Sequence, residues 1–93
     1  MSATPRDCLV DPAAFGRSRS VGWVITQTAR ATALSAAAQL QHVSAVHVRL
    51  FLRTEDRTQG WLASILGWRR ERLSRVLGGQ AWVSLADLEE MLH

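Results

Sequence analysis

The chain has no lysine: all eleven of its basic residues are arginine, among 93 residues in total. A GC-rich coding bias can produce that substitution by itself, so where the arginines stand matters more than how many there are. Cysteine occurs once, at Cys8, which excludes an intrachain disulfide and any multi-cysteine zinc site and fits a reducing, cytoplasmic setting. Long apolar runs are missing too. No stretch approaches the roughly 18 to 20 residues of a membrane span, and Asp7 and Asp11 fall where a signal peptide needs an apolar core, so no membrane partner is expected. His42, His47 and His93 have no ligand spacing with one another or with Cys8, which argues against a metal. No set of nucleophile, base and orienting group can be picked out, and no glycine-rich phosphate loop follows a strand. The chain is therefore read as no enzyme, with no cofactor and no small-molecule substrate.

What is present is one small domain, near the size at which a single core just supports itself. Eight acids against eleven arginines give a net charge of +3. Between Arg49 and Arg75 seven arginines meet three acids, a local +4, and the remaining four arginines and five acids sum to −1. A basic region concentrated in this way points to a polyanionic partner.

Residues 1–20 carry Pro5, Pro12, Gly16 and scattered charges with no helical or strand period, and are expected to form a flexible arm. Residues 21–41, "VGWVITQTARATALSAAAQLQ", are alanine-rich and read as an N-terminal helix, although their apolar residues circle the helix without forming one stripe. The segment "HVSAVHVRLFLRTED" is ambiguous. Val46, Val48, Leu50 and Leu52 alternate with polar and aromatic residues as in a strand, while Val43, Val46, His47 and Leu50 fit a helix. Its place between two helical patterns, with no hairpin turn, favours helix.

From Thr58 to Gly79 the pattern sharpens. Thr58 suits an N-cap; Leu62, Ala63 and Leu66 form the inner face of a short helix that Gly67 ends; Leu73, Val76 and Leu77 form the inner stripe of a second helix that Gly78 and Gly79 end. Two helices meeting steeply over a tight turn need a short side chain where they approach, which Ala63 supplies, and backbone freedom, which Gly67 supplies. Projection at about 100° per residue puts Glu71, Ser74 and Arg75 opposite the inner stripe, with Arg70 and Arg72 at its edges. The expected fold is all-α: a small helical bundle with a helix-turn-helix over residues 42–93, preceded by the extra helix and the flexible arm.

At these residues the chain resembles the helix-turn-helix regulators of the lambda-repressor and Cro type, the Xre family. The resemblance covers about half the chain: "VRLFL" for a first helix, "TQGWLASILGW" for the second, "RRERLSRVLGG" for the recognition helix and "AWVSLADLEEML" for the next. Trp82 to Leu88 looks like the Trp-or-Pro, Ser-Leu-x-x-Leu signature of many phage members. The resemblance implies sequence-specific binding of double-stranded DNA and repression by promoter occlusion. It places Arg70, Glu71 and Arg75 at base-reading positions, and Gln59, Arg69, Arg72 and Ser74 at phosphate-contacting or flanking ones. It also implies that a homodimer on palindromic half-sites is possible.

The chain departs from this pattern at two points. Arg69 stands where the family usually has a capping Ser or Thr, leaving the recognition helix without an ordinary side-chain cap. Trp61 projects about 145° away from the inner face of its helix, with Ile65 one turn later. Such a second apolar stripe implies a cover, assigned here to the N-terminal helix around Trp23 or to a dimer partner. The plainer reading of "RRER" is a solvated helix face in which Glu71 pairs with Arg75, worth a few tenths of a kcal/mol. Trp68 and Trp82 read as packing residues. Ser84 with Asp87 resembles a capping box, and Asp87, Glu89 and Glu90 read as a solvated acidic face. A second function class stays open: an antitoxin or adaptor whose apolar N-terminal extension binds a protein partner, with DNA binding secondary. An excisionase-like wing is excluded, because Gly79 to Ala81 are too few for one.

Overall fold

The computed structural model describes residues 3–92; Met1, Ser2 and His93, which the sequence reading gave to the arm and to the end of the helical domain, lie outside the described residues. The all-α class holds. Two 3-10 turns, Pro5–Cys8 and Pro12–Ala14, precede four helices: α1 (Ala29–Thr54), α2 (Gln59–Leu66), α3 (Arg70–Leu77) and α4 (Leu85–Leu92). No helix among the described residues is long and apolar enough to cross a membrane.

The boundaries of the N-terminal half differ from expectation. Residues 21–28 are extended, not helical: Val10 N–H donates to the Gly22 carbonyl at 2.9 Å, Val24 N–H to the Cys8 carbonyl at 2.8 Å, and Leu9 and Trp23 form an antiparallel bridge. Val21, Val24, Ile25 and Thr26 are β-branched and Gly22 is a poor helix former, so pairing with residues 8–10 wins over helix. The helix starts only after Thr28, whose hydroxyl accepts from Ala31 N–H at 3.0 Å. It then runs through positions 41 and 42 without a break, because neither glycine nor proline interrupts it. At 26 residues it is about 39 Å long, which accounts for the 40 Å long axis of the molecule.

The ambiguous segment after His42 is helical, but its buried stripe is not the 43/46/47/50 set. Ala38, Gln41, His42, Ala45, Val48 and Leu52 face the core, and Leu40, Val43, Leu50 and Phe51 lie outside. The helix therefore separates Val48 and Leu52 from Leu50, which a strand would have kept on one face.

Residues 4–20 do not behave as a loose arm. Pro5, Leu9 and Phe15 are all but fully buried, and the segment docks in the corner between α1 and the end of α3. Arg6 N–H donates to the Gly79 carbonyl at 2.9 Å. Two glycines make this fit possible. A Cβ at Gly79 would stand 2.5 Å from the Phe15 ring, and one at Gly16 would stand 2.3 Å from the Leu77 carbonyl oxygen; both residues have left-handed φ, +72° and +70°. The sequence showed no period here because the contacts are long-range and follow neither repeat.

Two polar residues on the buried face of α1 hold the corner together. The Gln41 amide donates to the carbonyls of Val76 and Ala81, both at 2.9 Å, and accepts from Val83 N–H at 3.2 Å. At the next residue, His42 Nδ1 accepts from Gly16 N–H at 2.9 Å, and its ring meets Phe15 and Trp23 edge-on at 5.3 and 5.6 Å. The buried Nε2 of His42 has no partner among the described residues. Burial lowers the His42 pKa, against a smaller opposing pull from the Ser18 backbone.

Two measurements test this arm. Phe15→Ala should reduce unfolding free energy by about 3 to 5 kcal/mol in urea titrations, the usual range for a buried aromatic, whereas a flexible arm would leave it unchanged. His42 is held neutral in the fold, so the unfolded chain takes up its proton more readily. Stability should be full above the ordinary histidine value of about 6.5 and decline as pH falls through it towards the lower folded value. The denaturation midpoint of the wild type should therefore drop between pH 7.5 and pH 5, and drop less in His42→Gln.

Candidate functional site

The outward surface of α2 and α3 is set by what the two helices bury. In α2 the Thr58 hydroxyl caps the first turn, accepting from Trp61 N–H at 3.0 Å, and Leu62 and Ala63 face the core. Gly67 ends the helix at φ +72°, with Trp68 N–H returning to the Ala63 carbonyl at 2.9 Å. No atom would crowd a Cβ at Gly67, so this glycine is required for its backbone angle and not for space. Three residues later α3 begins. Leu73, Val76 and Leu77 are 0–1% exposed, as the sequence stripe implied. Its end repeats the motif: Gln80 N–H donates to the Arg75 carbonyl at 2.8 Å and Gly79 N–H to the Val76 carbonyl at 3.2 Å.

That packing leaves Arg69, Arg70, Glu71, Ser74 and Arg75 on the outside. None of their side chains makes a hydrogen bond or ion pair among the described residues, and the i,i+4 pair expected between Glu71 and Arg75 does not form. Arg69 has N-cap geometry with no side-chain cap, so the leading N–H groups of α3 lack a capping side chain. Gln59 opens α2 and is half-buried. The next residue, Gly60, lies beneath Arg70: a Cβ there would be 3.9 Å from Arg70 Cδ. The start of α2 and the start of α3 thus bring Gln59 and Arg70 onto one surface.

Arg72 is turned differently. Its guanidinium pairs with Asp87 of α4 and lies 4.1 Å from the centroid of the Trp68 ring. It braces α3 against α4, and Asp87 is not part of a solvated acidic face. Half of the expected capping box is present: the Ser84 hydroxyl accepts from Asp87 N–H at 3.1 Å, while the Asp87 carboxylate is taken by Arg72. Trp82 is fixed from its other end, donating from Nε1 to the Ala3 carbonyl at 2.8 Å.

Of the three residues read as a partner surface, Trp61 and Ile65 share a groove and Trp23 lies apart from it. Trp23 packs on His42 and bridges Leu9. Trp61 is half-buried under the Arg57 guanidinium, 4.9 Å from its ring centroid, and lines a groove of about 360 Å³ with Ile65, Phe51 and Leu92. Nothing from the segment around Trp23 lines that groove, and Ile65 is 62% exposed.

A second basic surface escaped the sequence reading. Arg17 and Arg19 of the docked arm, Arg49 and Arg53 of α1 and Arg57 of the following loop line one cleft of about 420 Å³, with Gln59 also in its lining. The i,i+4 spacing of Arg49, Arg53 and Arg57 was a visible signal; the arrival of Arg17 and Arg19 depends on the arm.

The Arg72–Asp87 pair is partly exposed, with side chains 48% and 24% accessible. A double-mutant cycle of Arg72→Ala and Asp87→Ala, followed by thermal or urea unfolding, should give a coupling of about 0.5 to 1 kcal/mol that shrinks with added salt. Zero coupling at low salt would remove the brace.

Comparison of the chain with protein-family models, with curated proteins and with solved structures finds no match.

Proposed function

We propose that the protein binds double-stranded DNA in a sequence-specific way and regulates transcription, most simply as a repressor that occludes a promoter in the reducing cytoplasm where Cys8 stays a thiol. The observation that carries this reading is the two-sidedness of α3. Its inner face is buried to 0–1% exposure, and its outer face presents Arg70, Glu71 and Arg75 free of partners among the described residues. Arg72, at the edge of the helix, is instead paired with Asp87, which leaves the three outward side chains available to a partner.

In this reading α3 enters the major groove, whose width admits a helix. An arginine fork matches guanine O6 and N7, and a glutamate accepts from cytosine N4, so Arg70, Glu71 and Arg75 would favour a GC-containing half-site. Gln59, Arg69 and Ser74 would fix register on phosphates, the bare start of α3 helping through its N–H groups. Arg72 would contribute to a phosphate only through the part of its guanidinium that Asp87 leaves free.

A second reading is favoured by one observation, the exposed Ile65 beside Phe51, Trp61 and Leu92. It makes the protein an interaction module of the antitoxin or adaptor kind, with its apolar groove bound to a partner. For a regulator reading a palindromic site, the same groove would take a second copy of the chain.

Selection of bound duplexes from a random pool, followed by competition binding, tests the main reading. Arg75→Ala should lose about 1 to 3 kcal/mol of discrimination between the selected site and random duplex, and retain most of its affinity for the random one. Equal losses on both would sink the base-reading role. Sedimentation of the pure protein across concentrations addresses the groove, where Ile65→Glu should dissociate any dimer that the groove forms.

A further inference from the structure

The cleft between the docked arm and α1 has an electrostatic composition that the fold does not balance. Five arginines, Arg17, Arg19, Arg49, Arg53 and Arg57, line it together with Gln59, and no carboxylate does. Glu55 and Asp56, the acids nearest in sequence, are exposed and outside its lining. The cleft thus holds five positive charges in a protein whose net charge is +3. Charged groups are seldom gathered like this without counter-charges, because like charges repel and lose hydration as they approach.

Arg49 makes the imbalance specific. Its Nε is shut off from solvent and has no hydrogen-bond partner among the described residues. It packs against Gly16, where a Cβ would be 3.5 Å from it. Burial and the neighbouring charge of Arg17 both push the guanidinium pKa below its ordinary value. Arg57 is steadied over the Trp61 ring, and no cleft arginine forms an ion pair among the described residues. The Arg49 guanidinium is thus held against the arm among four further guanidinium groups, a concentration of forked donors that phosphate oxygens, which accept in pairs and carry the missing charge, would complement. At about 420 Å³ the cleft also falls in the size range of small-molecule sites.

We propose that this cleft is a phosphate-binding site, gripping either adjacent phosphates of a DNA strand or a free ligand with two or more phosphate groups. Gln59 lines the cleft and the following residue, Gly60, lies close to Arg70, so a strand running past the start of α3 would reach it. In that form the proposal rests on the DNA reading; in the free-ligand form it stands alone.

The experiment uses the full chain, the double variant Arg49→Gln/Arg53→Gln, and Arg17→Gln as a gentler change on the arm. The two probes are inorganic pyrophosphate, followed by calorimetry and by NMR of the arginine Nε–H signals, and a random-sequence duplex titrated across salt concentrations. With a free phosphorylated ligand as the source, pyrophosphate binds the wild type and raises its melting temperature, and the double variant loses at least tenfold in affinity while its duplex salt slope stays the same. With the DNA backbone as the source, the slope of log K against log salt falls by about two in the double variant and about one in Arg17→Gln, at roughly 0.9 per phosphate released. If no duplex binds at all, the DNA reading fails and pyrophosphate alone decides the cleft. Absence of pyrophosphate binding together with an unchanged duplex slope, or with no duplex binding, overturns the proposal.

Discussion

The position of every charged residue on α3 depends on one buried amide. Gln41 is 2% exposed, and its side chain satisfies two carbonyls and one N–H from the stretch between the end of α3 and the start of α4. Three of the four hydrogen bonds available to an amide are made, which is close to what a buried glutamine can achieve. Its replacement by an apolar residue would take the side-chain partner from the part-buried Ala81 carbonyl and Val83 N–H, at up to about 1 to 3 kcal/mol each, while the Val76 carbonyl would keep the Gly79 N–H. An aliphatic contact at that place would permit α3 to slide or rotate on α1; a directional three-point contact does not. The arm grips the same turn from the other side through Arg6, Phe15 and Gly79.

Once α3 is fixed at its C-terminal end, the burial of Leu73, Val76 and Leu77 leaves no choice for the rest. A helix with a stripe at those three positions must present positions 70, 71, 74 and 75 to the outside. The outer face then differs from an ordinary solvated surface in how its charges are used. Asp87 is turned to Arg72, which fastens α3 to α4, and no acid is turned to Arg70 or Arg75 among the described residues. Structural pairing and free donors are thereby separated on one short helix, with the pairing at its edge.

The sequence made α2, the turn and α3 legible because their signals are local. A Thr cap, a left-handed glycine and a three-residue apolar stripe all act within eight or nine positions, and each is where the pattern placed it. The uncapped Arg69 was legible for the same reason. The first half of the chain was not, because its order comes from contacts across the fold. Leu9, Phe15 and Trp23 have no period, since 3-10 turns and an isolated bridge impose none. In α1 the exposed Leu40, Val43, Leu50 and Phe51 blurred the buried stripe, and the two polar residues that look like a boundary, Gln41 and His42, are the most connected points on it. Propensity saw an alanine-rich helix; it could not see that Gln41 and His42 point inward.

The arginine cleft follows from that hidden half, and a comparison of magnitudes shows why it can exist. A pair of like charges about 6 Å apart costs about 1 to 3 kcal/mol near a protein surface, depending on screening. Left to itself, an arm carrying Arg17 and Arg19 would swing away from Arg49 and Arg53. It is held by Phe15 and Gly16, the residues immediately before Arg17. Full burial of an aromatic side chain contributes about 1.5 to 3 kcal/mol, and the Gly16 to His42 hydrogen bond and the Arg6 to Gly79 bond add to it. Apolar docking and these backbone hydrogen bonds thus work against the repulsion and hold the arm on α1. Because the same docking bears on Gly79 at the end of α3, the cleft and the outer face of α3 are held by one frame. A polyanion that touches both would meet a backbone already in place, so the ordering cost of binding would fall mainly on the exposed arginine side chains.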